Sequence, residues 1–96
     1  MRYVWDPEKN KADIKKHDVS FEDAVEVFLD EYRIEEIDDR LEYSEERLIV
    51  IGMAQTDVLF VVAVEKDDEL MRIISARDAT KAEKHRYDQA RLDAQK

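Results

Sequence analysis

Leu70-Met71-Arg72-Ile73-Ile74-Ser75-Ala76-Arg77 is an apolar run that carries two arginines and leads directly into a last, charged helix. Its β-branched isoleucines sit mid-run, as a pleated, half-buried backbone favours, and Lys66-Asp67-Asp68-Glu69 supplies the turn before it. The stretch therefore reads as a central strand. Guanidinium groups are rarely buried without partners, so Arg72 and Arg77 require acids or an anion. Their separation is odd, and strict alternation sends them to opposite faces. Both can serve one site only if Arg77 lies past the strand end.

Working outward, Arg47 to Met53 and Val58 to Val64 are rich in Leu, Ile and Val and flank Ala54-Gln55-Thr56-Asp57, which reads as a hairpin. With the arginine-bearing strand they make three consecutive antiparallel strands. Upstream, Tyr3-Val4-Trp5 reads as a short first strand, and Asp6-Pro7 as a cap and first residue of a helix reaching Lys16 or His17. Ser20 and Asp23 form a capping box, with Val19 placed to staple against Ala24, for a second helix to about Leu29. Phe21, Ala24, Val25 and Phe28 fall on its core face. Tyr32 and Ile34 alternate with charged residues as a short edge strand. Thr80 and Glu83 open the last helix with a second box, and its apolar face, of Ala79, Ala82, Ala90 and Ala94 beside Tyr87, is weak. These elements add up to one α+β domain over residues 1–96: an antiparallel sheet of about four strands, two N-terminal helices and a C-terminal helix, with the helices mostly on one face.

Composition bounds the chemistry. A chain of 96 residues that is 44% hydrophobic can bury roughly 65% of its unfolded surface. Absence of cysteine excludes disulfides, thiolate chemistry and cysteine-ligated zinc, and the two histidines are far apart, so no metal site is expected. The single glycine, Gly52, rules out a glycine-rich phosphate loop, and no cofactor is expected. Charged residues follow Trp5 at once, and the longest apolar run, Val58 to Val64, is too short to span a bilayer, so a soluble cytoplasmic protein without a membrane partner is expected. A net charge of -9 counts against nucleic-acid binding, because that affinity comes from neutralising phosphates. Yet screening confines each charge to about 8 Å, so a local basic patch survives on an acidic molecule. Here the signs are segregated: Asp30 to Glu46 is mostly acidic, Lys9, Lys11, Lys15 and Lys16 crowd an early helix, and Arg72, Arg77, Lys81, Lys84 and Arg86 crowd the end.

In order along the chain, Tyr3-Val4-Trp5-Asp6, Lys16-His17-Asp18-Val19-Ser20-Phe21, Glu46-Arg47, Ile51-Gly52 and Arg72-Ile73-Ile74-Ser75-Ala76-Arg77 with Ala79-Thr80 and Glu83 resemble the BrnT family of bacterial toxins. No one motif is specific, but the ordered set is, and it spans nearly the whole chain. The resemblance implies a RelE-like fold and a ribonuclease activity that arrests translation. It also implies neutralisation by a small BrnA-like antitoxin in a hetero-oligomer, with operator DNA reached only through that antitoxin. The chain departs from the family pattern at Asp13, where asparagine is usual, at Asp18, where glycine follows the Lys-His pair, and at Lys66, where an arginine often ends the preceding strand.

Metal-free RNA cleavage needs a base for the 2′-hydroxyl, cations for the charged phosphorane and an acid for the departing 5′-oxygen. Arg72 and Arg77 are the leading phosphate and transition-state residues, with Arg47 from the neighbouring strand, because paired guanidinium forks match phosphate geometry. The competing role for each is ion pairing with nearby acids. His17 carries an imidazole that can act as base or acid, or simply end its helix. Glu83 is first a capping partner of Thr80 and second a general base. Trp5 belongs to the core, and His85 and Tyr87, two apart on one helix, do not face one site. Lys9, Lys16, Lys66 and Lys81 are the cations left to hold the RNA backbone. Two readings other than an active nuclease stay open: a BrnT-like module that only docks an antitoxin as co-repressor, and a toxin whose acidic drift has removed RNA affinity.

Overall fold

Between Leu48 and Asp78 the apolar runs do pair as three consecutive antiparallel strands. The computed structural model, which describes residues 1–40, 42 and 44–95, runs β1 (Arg2–Val4), α1 (Pro7–His17), α2 (Phe21–Val27), β2 (Ile34–Ile37), β3 (Leu48–Ala54), β4 (Asp57–Asp67), β5 (Leu70–Asp78) and α3 (Lys81–Ala94). The sheet order is β1-β5-β4-β3-β2, and β1 lies parallel to β5 while the other pairs are antiparallel. This corrects the expected sheet of about four antiparallel strands: five are present among the described residues, and the sheet is mixed. Hairpin logic fixes direction only between strands joined by a short turn, and β1 meets β5 across most of the chain.

The helices also divide differently from expectation. Val58 to Val64 is buried on both sides of β4, so each face of the sheet requires cover. On one face α2 buries Phe21, Ala24 and Val27 against Val50, Val61 and Ile73, with Trp5 edge-on to Phe21 at 6.1 Å. On the other, Tyr87 of α3 joins Ile51, Phe60, Val62 and Ile74. The core stripe of α2 therefore runs through Val27, whereas Val25 and Phe28 are half-buried against the same core, and the helix ends at Val27, short of Leu29. The weak face of α3 is as expected: only Tyr87 is buried, and His85 is exposed.

Two aspartates finish the sheet where its edge strands stop. Beyond Val4 the outer edge of β5 has no strand partner, and α1 lies along it; there the Asp13 carboxylate accepts a hydrogen bond from the Ala76 backbone N–H at 3.0 Å. An asparagine carbonyl could accept the same bond, which makes position 13 tolerant of either residue. Beyond Ile34 the outer edge of β3 has no strand partner among the described residues, and there Asp30 accepts from the Met53 N–H at 2.8 Å. Local caps follow the sequence: Asp6 accepts from Glu8 N–H, Ser20 from Asp23 N–H, and Thr80 and Glu83 close a reciprocal box. Asp18 ends α1 at φ 56°, in the left-handed region that a glycine occupies without strain and aspartate tolerates.

Gly52 sits mid-strand in β3, where α2 comes closest. A Cβ there would lie 3.0 Å from Val27 Cγ1, 3.2 Å from Arg33 Cβ and 3.3 Å from Asp30 Oδ2. Gly52→Ala is therefore expected to destabilise the fold by about 1–3 kcal/mol despite alanine's better strand entropy, read as a lower urea midpoint at unchanged m-value.

Candidate active site

Arg72 and Arg77 emerge on the same face of the sheet, and by a route other than the one the sequence suggests. β5 continues to Asp78, so Arg77 is still inside the strand. In the ladder with β4, Arg72 pairs with Val64 and Arg77 with Phe60, while Val62 pairs with Ser75 and Ala63 with Ile73. Ile74 is thus an extra residue, a β-bulge that absorbs the odd spacing. Val64 and Phe60 both belong to the α3-side core, and directly paired residues share a face, so both guanidiniums point to that side.

Their surroundings differ. Arg72 lines a cleft of about 210 Å³ together with Lys9, Arg47, Asp6, Ile73 and Ile74. Arg77 instead lies with its guanidinium carbon 3.9 Å from the Phe60 ring centre and donates to both Glu83 oxygens, at 2.8 and 3.0 Å, and to the Asp78 carbonyl at 3.0 Å. Glu83 also accepts from Thr80 N–H at 2.8 Å. The Arg77 fork holds the Glu83 carboxyl below the usual range, against the opposing effect of burial, so it stays ionised at neutral pH. Arg77 and Glu83 are committed to each other and brace α3 on the sheet, which Arg86 does again by donating to Glu36 at 2.8 Å.

Described residues of the segment between β2 and β3 also reach this face. Its stem is closed by the Asp38 N–H donating to the Arg47 carbonyl at 2.8 Å. Arg40 reaches the Phe60 ring, 5.6 Å from its centre, and Glu45 accepts from Lys66 Nζ and, at 2.7 Å, from Arg72. Lys66 is itself bulged out of the β4 ladder, unpaired between Glu65 and Asp67. Its ammonium, with Arg72, lowers the pKa of Glu45.

Of the residues singled out in the sequence, the fold gathers Lys9, Arg47 and Arg72 at one cleft and sets Lys66 beside Arg72 through Glu45. His17, half-buried at the end of α1, is not among the described residues lining that cleft. Lys16 on α1 and Lys81 at the start of α3 are exposed and stand apart from it. Asp6 and Glu45 were not singled out. The Asp-Pro cap accounts for Asp6 so completely that its second position, on the cleft wall, leaves no separate trace in the sequence. Glu45 is one of many acids in its segment, and no local pattern distinguishes it.

A family model described as ribonuclease toxin, BrnT, of type II toxin-antitoxin system matches residues 5–83. The chain belongs to the BrnT toxin family. The crystal structure of the Brucella abortus ribonuclease toxin, BrnT, is similar, with a TM-score of 0.64 and 26% identity over 84% of this chain and 99% of that one. No curated protein matches. The region that matches the BrnT family holds the whole cleft, the Glu45 bridge and the Arg77–Glu83 pair, and stops in the first turn of α3. Membership of a BrnT-type toxin family implies an antitoxin partner. Among the described residues no helix is long and apolar enough to cross a membrane, and no group of His, Cys, Asp or Glu could hold a metal ion.

Proposed function

We propose that this chain is a cytoplasmic toxin that cuts RNA without a metal ion, arrests translation and is silenced by a BrnA-like antitoxin that carries it to operator DNA. One observation carries the catalytic half of this reading: Lys9, Arg47 and Arg72 converge on a single cleft of a molecule whose net charge is -9. Fixed cations facing developing charge supply what a metal would otherwise supply. In this reading Arg72 and Arg47 grip the scissile phosphate as forks and stabilise the phosphorane, and Lys9 adds a point charge. Asp6 is the carboxylate on the same wall; capping α1 uses one of its oxygens, and the other takes the 2′-hydroxyl proton. Arg77 and Glu83 keep the face in place, and Lys16, Lys81 and His17 act on the RNA backbone outside the cleft. The RelE-like description and the hetero-oligomer with antitoxin belong to the same proposal.

Growth arrest when the chain is expressed without a partner, and cleavage of single-stranded RNA by the purified protein in EDTA, test it. Asparagine caps a helix as well as aspartate. Asp6→Asn is therefore expected to cut the cleavage rate about 100-fold with an unchanged melting curve; undiminished cleavage removes Asp6 as base. An antitoxin-docking co-repressor without nuclease activity is the second reading, favoured by the acidic charge balance, and it predicts no arrest and no cleavage at any protein concentration.

A further inference from the structure

We infer that Lys66 and Arg72 form a phosphodiester subsite that the Glu45 carboxylate occupies in the RNA-free protein, restraining the enzyme until RNA displaces it. The inference rests on the ribonuclease reading and adds to it a subsite and its occupant.

The geometry is that of a stand-in. One carboxylate takes the Lys66 ammonium on Oε2 and the Arg72 guanidinium on Oε1, as two non-bridging phosphate oxygens would. Lys66 is aimed there by its bulge, and Arg72 by its place opposite Val64. Arg72 also lines the Lys9–Arg47 cleft, so a carboxylate on it both occupies a donor and repels any phosphate arriving alongside.

The contact is made to exchange. The side chains of Glu45, Arg72 and Lys66 are 37, 38 and 34% exposed, where solvent and salt weaken an ion pair, and a polyanion that brings several phosphates outcompetes a single carboxylate. Glu45 lies outside the strand pairing of β2 with β3, so its side chain can leave the two cations while the register from Ile34 to Ile37 stays intact. The low Glu45 pKa keeps the stand-in charged at neutral pH. The segregated acidic segment of the sequence thereby has a use: it neutralises the protein's own cationic face.

Glu45→Gln tests this, measured as fluorescence anisotropy of a labelled single-stranded RNA at 0.15 M salt, with cleavage followed in parallel. It is expected to tighten RNA binding about three- to tenfold and to raise cleavage at limiting RNA by a similar factor. Glu46→Gln makes the same change of net charge one residue away, on a side chain that does not bridge Arg72, and is expected to change binding less than twofold. Glu45→Ala is expected to follow Glu45→Gln. If the wild type binds RNA and Glu45→Gln binds it equally or more weakly, or if Glu46→Gln tightens it as much, the stand-in role is wrong while the nuclease reading stands. If wild type and variants alike neither bind nor cut RNA, both fall together.

Discussion

Arg72→Ala is expected to lower RNA cleavage by about 10²–10³-fold and to abolish growth arrest, with little change in the melting temperature. Arg72 is the residue shared by the Lys9–Arg47 cleft and the Glu45 bridge, so every anion on this face meets it. Truncation removes a fixed fork aimed at developing charge, which at a preorganised site is worth far more than an exposed ion pair. Stability is spared because the side chain is 38% exposed and its partner Glu45 keeps Lys66. Arg72→Lys separates the roles: it keeps the charge, loses the fork and should fall between, near a tenfold loss. Steady-state cleavage with saturating RNA, set beside circular dichroism melts, decides the matter. Full activity in Arg72→Ala removes the cleft as the seat of catalysis.

Much of the fold could be read from the chain because its signals are local. Asp6-Pro7, Ser20 with Asp23, and Thr80 with Glu83 each mark a helix start through chemistry within four residues; each cap side chain accepts as expected, although the reciprocal box closes only at Thr80 and Glu83 and Ser20 caps by its hydroxyl alone. The hairpin from β3 to β4 is equally local, turning at Gln55-Thr56 with Gln55 at φ 56°. What escaped were relations across distance. β1 pairs with a strand nearly 70 residues later, and no turn residue announces its parallel direction. The burial of Val58 to Val64 on both sides does announce a second helical layer, since a continuous apolar run belongs to a strand covered twice.

The site was legible in its residue types and not in its geometry. Alternation correctly warns that Arg72 and Arg77 cannot share a face in a regular strand, and it is the bulge at Ile74 that reconciles them. A bulge has no dependable sequence mark when the extra residue is an isoleucine rather than a glycine. Sharing a face does not bring both guanidiniums to the Lys9–Arg47 cleft. Arg77 meets Glu83 because the strand exit and a capping box lie six residues apart, so the same carboxylate that caps α3 is in reach of the guanidinium. The pairing of Glu45 with Arg72, 27 residues on, joins residues far apart in the chain, and no local pattern marks it.

The largest loss of stability is expected from Asp30, a residue with no place in the cleft. Its carboxylate accepts from Tyr32 N–H at 2.9 Å, from Met53 N–H at 2.8 Å and from the Tyr87 hydroxyl. It therefore joins the end of α2, the open edge of β3 and the one buried side chain of α3. Burial raises the Asp30 pKa, but the hydrogen bonds from Tyr87, Met53 and Tyr32 outweigh it and leave the group below its ordinary value of 3.8. Burial, with Asp30 beside it, raises that of Tyr87 above its ordinary 10.0, which keeps the phenol a donor. Asp30→Ala strands these donors and is expected to cost about 3–5 kcal/mol, a large share of the roughly 5–15 kcal/mol that holds a domain together. Tyr87→Phe removes one donor with little change of shape and should cost about 1 kcal/mol, and the double variant should fall short of the sum, since the two groups satisfy each other. The same contacts set a pH dependence. A carboxyl whose folded pKa is depressed contributes fully above its unfolded value and loses that contribution as pH falls through the folded one. Asp30 and Glu83 both do so, hence stability should decline from about pH 5 downward, and Asp30→Ala should flatten that decline. Urea midpoints between pH 3 and 8 measure both effects, and an Asp30→Ala protein within 1 kcal/mol of wild type at pH 7 would show that α3 is held by its ion pairs and Tyr87 packing alone.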